Sequence, residues 1–301
     1  MLEARAFQPE FLRRLDGLIL GSRRARTARA GRRSIGRIQG TGIEPENFRE
    51  YAEGDDLRFL DWNAFARLDD LTIRTYRAER QIELTMLVDA SASMGLPGAD
   101  DKLGLALLLS AALGYIGMSE NDAVRLCAFS GGRAGLKFDS TPLRKRRELY
   151  GDFRPFVMGL KAAGETRLSG AVARFLQERR PAGIVVVVSD FLVNPGDYQD
   201  ALGLLLAARH DVKVLHVLGD QENSGAYPPG FYRVRDCESG QMRDVSFGAA
   251  ELEACRRRVE THCARLREFC TQRDIIYAPA FGVSRLEQIM TLEFPRLGVI
   301  A

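Results

Sequence analysis

The stretch Leu84–Met94, LTMLVDASASM, constrains this chain more than any other. Leu84, Met86, Leu87 and Val88, with Thr85 among them, form an apolar run that stops at Asp89 and gives way to the small hydroxyl residues Ser91 and Ser93. A run of that length reads as a buried parallel strand. Its carboxyl end then falls in the crevice where open α/β sheets bind ligands. Asp89 brings charge there and the two serines bring neutral oxygens, a donor set suited to a small hard cation such as Mg2+.

Two further stretches have matching chemistry. Ile184–Asp190, IVVVVSD, is a second apolar run ending in a carboxylate, and its uniformity predicts a central strand covered on both faces, with Asp190 beside Asp89. Ahead of it, Thr166 precedes a helical pattern through Leu168, Val172, Phe175 and Leu176, and offers a third neutral oxygen from a loop. By itself, Asp-x-Ser-x-Ser also suits a turn that caps the next helix. Three hydroxyls with two carboxylates instead predict octahedral Mg2+, with Mn2+ or Ca2+ as substitutes, completed by waters and one oxygen from outside the chain.

In order and approximate separation, Asp89, Ser91, Ser93, Thr166 and Asp190 resemble the metal-ion-dependent adhesion site of von Willebrand factor A domains. The similarity runs over Glu83–Pro279. It implies that the serines and threonine hold the cation, that the aspartates act largely through bound water, and that an Asp or Glu of a protein partner supplies the last ligand.

The 301 residues, 46% hydrophobic and 28% charged, suffice for one large domain or a large one with a small companion. Met1–Ile19 mixes charges with apolar residues and does not read as a signal peptide. The apolar run Leu103–Met118 falls short of the roughly 20 residues that a bilayer requires, so no membrane insertion is expected. It reads instead as the first crossover helix, capped near Asp100 or Asp101. An odd number of cysteines in a chain this large implies no disulfide framework and points to the cytoplasm. Cys255, Cys263 and Cys270 share one helix but lie about 12 Å and about 10.5 Å apart along its axis, too far to share a metal, so buried thiols are expected. His262 is expected at the surface, and His210 and His216 lack ligand spacing.

Residues 1–37 hold ten arginines against Glu3, Glu10 and Asp16, a balance of plus seven, although the whole chain is only plus three. A short helix is expected within Phe11–Leu20, followed by a basic run, Arg23–Arg37. No aromatics interleave these arginines as stacking platforms, so an acidic protein surface or solvent is a better partner than nucleic acid.

Gly40–Arg80 is rich in turn residues, and its physical reading is a small subdomain with a tight Gly-Asp-Asp turn, an anchoring Trp62 and the strand-like Leu71–Tyr76. Its two glycines follow no apolar strand and so form no dinucleotide fingerprint. Gly40, Gly42, Glu44, Arg49, Tyr51, Gly54, Asp55, Asp56, Arg58, Asp61, Trp62, Ala66 and Arg67 closely resemble the signature of the bacterial domain-of-unknown-function family numbered fifty-eight. Pro45 replaces the usual aromatic. Members join this signature to a von Willebrand factor A-like domain and are commonly encoded beside MoxR-type AAA+ ATPases. The resemblance therefore implies an adaptor or cofactor of such an ATPase.

The expected fold is α/β, a doubly wound and mostly parallel sheet flanked by helices, with a small N-terminal subdomain. It divides into a basic arm (1–37), a signature subdomain packed on the main domain (38–81), the main domain (82–280), and a C-terminal helix and tail (281–301). Function is expected to be non-enzymatic, Mg2+-dependent protein binding. One alternative is a metal-dependent phosphohydrolase, disfavoured because Ser91 stands where a second catalytic acid belongs and because Lys102 comes too early in its helix to reach the site. The other is an architectural protein with a vestigial metal site.

Overall fold

The computed structural model describes residues 3–21, 45–52, 57, 60–68, 71–76, 82–95, 101–132, 135–224, 227–238, 240–282 and 285–300. Two compact units result, one combining Met1–Ala25 with Ile82–Ala301 and the other spanning Arg26–Gln81. In chain order the elements are α1 (Pro9–Leu15), β1 (Pro45–Glu50), α2 (Trp62–Leu68), β2 (Thr72–Tyr76), β3 (Glu83–Asp89), α3 (Lys102–Ser119), β4 (Ala123–Gly132), β5 (Gly135–Ser140), α4 (Arg154–Gly159), α5 (Leu168–Leu176), β6 (Ile184–Ser189), α6 (Pro195–Ala207), β7 (Asp211–Leu218), α7 (Asp220–Ser224), β8 (Gly230–Arg235), β9 (Met242–Phe247), α8 (Ala249–Gln272) and β10 (Ile276–Phe281). Helical turns from Leu286 to Leu297 follow.

The larger unit is mixed α/β, with six strands in the order β10-β7-β6-β3-β4-β5. All neighbours are parallel except β5, which returns antiparallel to β4. Leu84, Met86 and Val88 of β3 and Ile184, Val186 and Val188 of β6 enter one core with α3, while Leu87, Val185 and Val187 enter another with α5, α6 and α8. This two-sided covering is why both strands read as unbroken apolar runs.

Helix α3 begins at Asp101, whose carboxylate accepts from the Gly104 amide at 2.8 Å, and every α3 residue but Ser119 is buried. Its composition would suit a membrane span, yet 94% of it is buried within the protein. Fully buried leucines such as Leu105, Leu108, Leu109 and Leu113 contribute about 1.5–3 kcal/mol each to the fold.

The N-terminal residues join the same core through Ala6, Leu15 and Leu20. Tyr115 Oη donates to Asp16 Oδ1 at 2.9 Å, and Tyr150 Oη to the Ala6 carbonyl at 3.0 Å. The basic run Arg23–Arg37 lies outside the described residues, as do Gly40, Gly42, Glu44, Gly54, Asp55, Asp56 and Arg58 of the signature.

Within the smaller unit the strand-like Leu71–Tyr76 is realised as β2, and it pairs antiparallel with β1, a strand the sequence reading did not expect. The Asp-Trp dipeptide works differently from the expected anchor: Asp61 caps α2 by accepting from the Asn63 and Ala64 amides at 3.0 and 3.3 Å, while Trp62 is 60% exposed. In the sequence, Tyr232–Arg235 and Met242–Val245 flank Glu238-Ser239-Gly240, which suits a surface hairpin, and the structure realises it as β8–β9; the helix expected to carry Cys255, Cys263 and Cys270 is realised as α8. Along α8 only Cys270 is buried as expected; Cys255 is exposed and Cys263 half-buried, because the N-terminal part of the helix turns few side chains toward the core.

Candidate functional site

Strand order reverses at β3: the chain runs through α3 to β4 on one side, while β6 pairs on the other. In open α/β sheets such a reversal places the ligand crevice beyond the strand carboxyl ends, here those of β3 and β6. Val88 pairs with Val188, so Asp89 and Asp190 emerge together at this end, both fully buried. Asp89 Oδ1 accepts from the Ser91 amide at 2.9 Å and Oδ2 from Ser189 Oγ at 2.6 Å. The Ser91 and Ser93 hydroxyls lie 3.1 Å apart.

Backbone bonds bring the Thr166 loop to this turn. The Ala163 amide donates to the Ala90 carbonyl at 2.9 Å and the Ala92 amide to the Gly164 carbonyl at 2.8 Å. Gly131 and Glu165 exchange a further pair at 2.5 and 3.1 Å. Gly164 has φ +80°, and a Cβ on it would run into the Gly131 carbonyl, so both the turn and the close approach require glycine. Thr166 is half-buried, and its amide and hydroxyl both donate to Glu238 Oε1, at 3.2 and 3.3 Å, from the tip of the β8–β9 hairpin.

Lys102 corrects the sequence expectation. Its ammonium donates to Asp190 Oδ2 and to Glu222 Oε1, each at 2.8 Å, and it is 1% exposed. The reach exists because α3 starts at the crevice and helical side chains tilt toward the helix N-terminus. Burial alone would pull this ammonium down, but the carboxylates of Asp190 and Glu222 outweigh it and leave it above the ordinary lysine range. Glu222 is itself held by the Gly219 amide, at 3.2 Å.

Burial, and after it the charge of Asp190, pushes the Asp89 carboxyl up to about 7. If all ionise, Asp89, Asp190 and Glu222 against Lys102 leave this cluster two negative charges in excess. An all-oxygen donor set with that surplus would fit a hard divalent cation, whose charge would favour loss of the Asp89 proton. Among the described residues, no three His, Cys, Asp or Glu side chains cluster to hold a metal, so any site depends on the hydroxyls.

Behind Asp190, His216 fills the floor. A carbonyl can only accept, so His216 Nε2 donates to the Asp190 carbonyl at 2.9 Å, and Nδ1 accepts from Tyr277 Oη at 2.8 Å. Burial, with His262 next, pushes this imidazole down to about 3. His262 is half-buried rather than fully at the surface: its ring stands 6.3 Å from that of His216, and its Nε2 is buried without a hydrogen-bond partner.

The sequence reading missed Lys102, Ser189, Glu222, His216 and Glu238. Only Lys102 left a signal, as the sole charge in an apolar helix, where a buried ammonium needs a carboxylate.

Fold and crevice define an α/β protein whose parallel sheet gathers carboxylates and hydroxyls at the ends of its central strands. The chain belongs to the family described as "Protein of unknown function DUF58", which matches residues 47–268. It is 29% identical over 255 residues to the uncharacterized protein Rv1480 of Mycobacterium tuberculosis, covering 83% of this chain and 75% of that protein, and to Mb1516 of Mycobacterium bovis with the same figures. Among solved structures, it is similar to the conserved hypothetical protein BatB of Bacteroides thetaiotaomicron, at 15% identity and TM-score 0.46 over 72% of this chain and 98% of that one. An aerotolerance-related membrane protein of Bacteroides fragilis matches at 18% identity and TM-score 0.43, covering 71% and 99%.

Proposed function

We propose that this chain is a non-enzymatic, Mg2+-dependent protein-binding module with a von Willebrand factor A-like domain, acting in the cytoplasm as an adaptor of a MoxR-type AAA+ ATPase. The observation that carries the reading is the stitching of the Ala90–Ala92 turn to Ala163 and Gly164, which joins Ser91 and Ser93 to the Thr166 loop at the crevice. Ser91, Ser93 and Thr166 would hold the ion directly. Asp89 and Asp190 would act through water, as the resemblance implies, and each of their oxygens already accepts one hydrogen bond. Bound Mg2+, or Mn2+ or Ca2+ in its place, supplies the charge that a partner's Asp or Glu meets. The ATPase pairing rests on the signature resemblance.

Lys102 in the crevice gives the phosphohydrolase reading one observation in its favour. Two carboxylates already hold its ammonium charged, and Asp89 is fully buried beneath Ser189 and Ser91, which argues against a proton carrier and an accessible nucleophile. Titration calorimetry against the cognate ATPase tests the preferred reading. Mg2+ should strengthen binding by about tenfold or more, a coupling of about 1.4 kcal/mol. Asp89→Ala and Ser91→Ala should abolish that gain with the fold intact. Equal affinity in Mg2+ and in chelator would refute it.

A further inference from the structure

The β8–β9 hairpin forms a two-stranded sheet of its own and carries its tip to the Thr166 loop. The Asp236 amide donates to the Gln241 carbonyl and the Gly240 amide to the Asp236 carbonyl, both at 2.9 Å, with Gly240 at φ +73°. Asp236 Oδ1 accepts from the Glu238 amide at 2.9 Å, and Arg233 pairs with Asp244 across the strands at 2.7 and 3.1 Å. From this turn Glu238 reaches out, and its Oε1 takes both donors of Thr166.

Two donors of one rim residue on a single carboxylate oxygen is an arrangement suited to an incoming acidic side chain. Here the chain fills it from within. The contact is exposed, and an isolated hairpin holds marginal stability of its own. Releasing it therefore disturbs neither of the two cores.

We propose that the β8–β9 hairpin is an internal occupant of the rim, its Glu238 carboxylate holding at Thr166 the place of an acidic side chain from a protein partner, so that the partner binds by displacing the hairpin. This rests on the reading of the rim as a Mg2+-dependent protein-binding site. Only the fraction of molecules with the hairpin released is competent, and the apparent affinity of a partner is reduced by that fraction.

The test compares the full chain with Glu238→Ala, an exposed position that leaves the fold alone. The probe is an acetylated, amidated Gly-Gly-Asp-Gly-Gly peptide, with its Asn counterpart as control. Nuclear magnetic resonance reports the Thr166 amide, and calorimetry the peptide affinity in Mg2+ and in chelator. If the hairpin is seated in about nine of ten molecules, the variant should bind the peptide about tenfold more tightly in Mg2+. The Thr166 amide resonance should move in the variant, and in the wild type when the peptide binds. Metal-dependent binding of equal strength in both proteins, or an unmoved Thr166 amide, overturns the internal occupant while leaving the binding site standing. Peptide that binds neither protein in a metal-dependent way refutes the Mg2+-dependent site, and the hairpin's role falls with it.

Discussion

Replacing Lys102 with Met is the sharpest perturbation of the crevice, because it keeps the apolar stem and removes only the ammonium. Asp190 is fully buried and Glu222 is 17% exposed on its side chain, so the loss falls mainly on Asp190, left without a cation. Breaking a buried pair from one side costs about 3–5 kcal/mol. For a unit of this size that lowers the melting temperature by roughly 10 °C. The sign with pH is consistent: the folded ammonium lies above its unfolded value, so its contribution is complete at neutral pH and is lost only as pH climbs through and past the ordinary lysine range.

The same substitution separates two accounts of the cluster. If a divalent cation binds here, Lys102→Met deepens the negative surplus, and Mg2+ should stabilise the variant more than the wild type. At about 100 times its Kd, a bound ion adds about 2.7 kcal/mol. Native-state hydrogen exchange of the α3 amides reads this directly, because the helix lies in the core of the larger unit. A loss below about 1 kcal/mol would show that the ion pair carries little of the site. Equal Mg2+ stabilisation of both proteins would show that Lys102 and the ion do not compete for Asp190.

Gly164→Ala should cost about 1–2 kcal/mol from its left-handed backbone alone, and more from the clash with Gly131; circular dichroism should show the fold retained while calorimetry shows Mg2+ binding lost, and unchanged Mg2+ binding would mean that the loop does not position Thr166. Asp122 offers a pH test away from the crevice: burial, with Glu120 adding to it against the Ile82 amide, pushes its carboxyl up to about 6. The folded protein therefore keeps a proton that the unfolded chain has released, and stability falls as pH rises from the ordinary aspartate range to that value. Asp122→Asn should remove this slope and raise stability near neutral pH by about 1–2 kcal/mol in urea titrations, allowing for the partial exposure of the site; identical slopes in both proteins would refute the assignment.

How much of this could be read beforehand follows from the range of each signal. Strands β3 and β6 were plain because covering on both faces leaves an unbroken apolar run, and the turn at Asp89 marked where the covering ends. The β8–β9 hairpin was marked by the turn residues between its strands. Trp62 misled because a large aromatic suggests an anchor, whereas the neighbouring Asp61 fixes the local structure by capping α2. Glu222 and Glu238 were beyond local reading: they meet Lys102 and Thr166 across 120 and 72 residues, and only the placement of α7 and of the hairpin decides it.

Those distant groups change the chemistry of the crevice, and not merely its membership. Two carboxylates and three hydroxyls would make a plain cation site, in which affinity follows charge alone. With Lys102 on Asp190, a tethered cation already neutralises one carboxylate, and Glu222 holds that cation from the other side. A divalent cation bound here, as we propose, would compete with Lys102 for the field of Asp190 through water, and would gain from Asp89 losing its proton near neutral pH. On that reading the ion would be weakly bound until a further carboxylate arrived at the rim, where Glu238 already stands. On the same reading the built-in ammonium of Lys102 would oppose the ion, and the built-in carboxylate of Glu238 the partner.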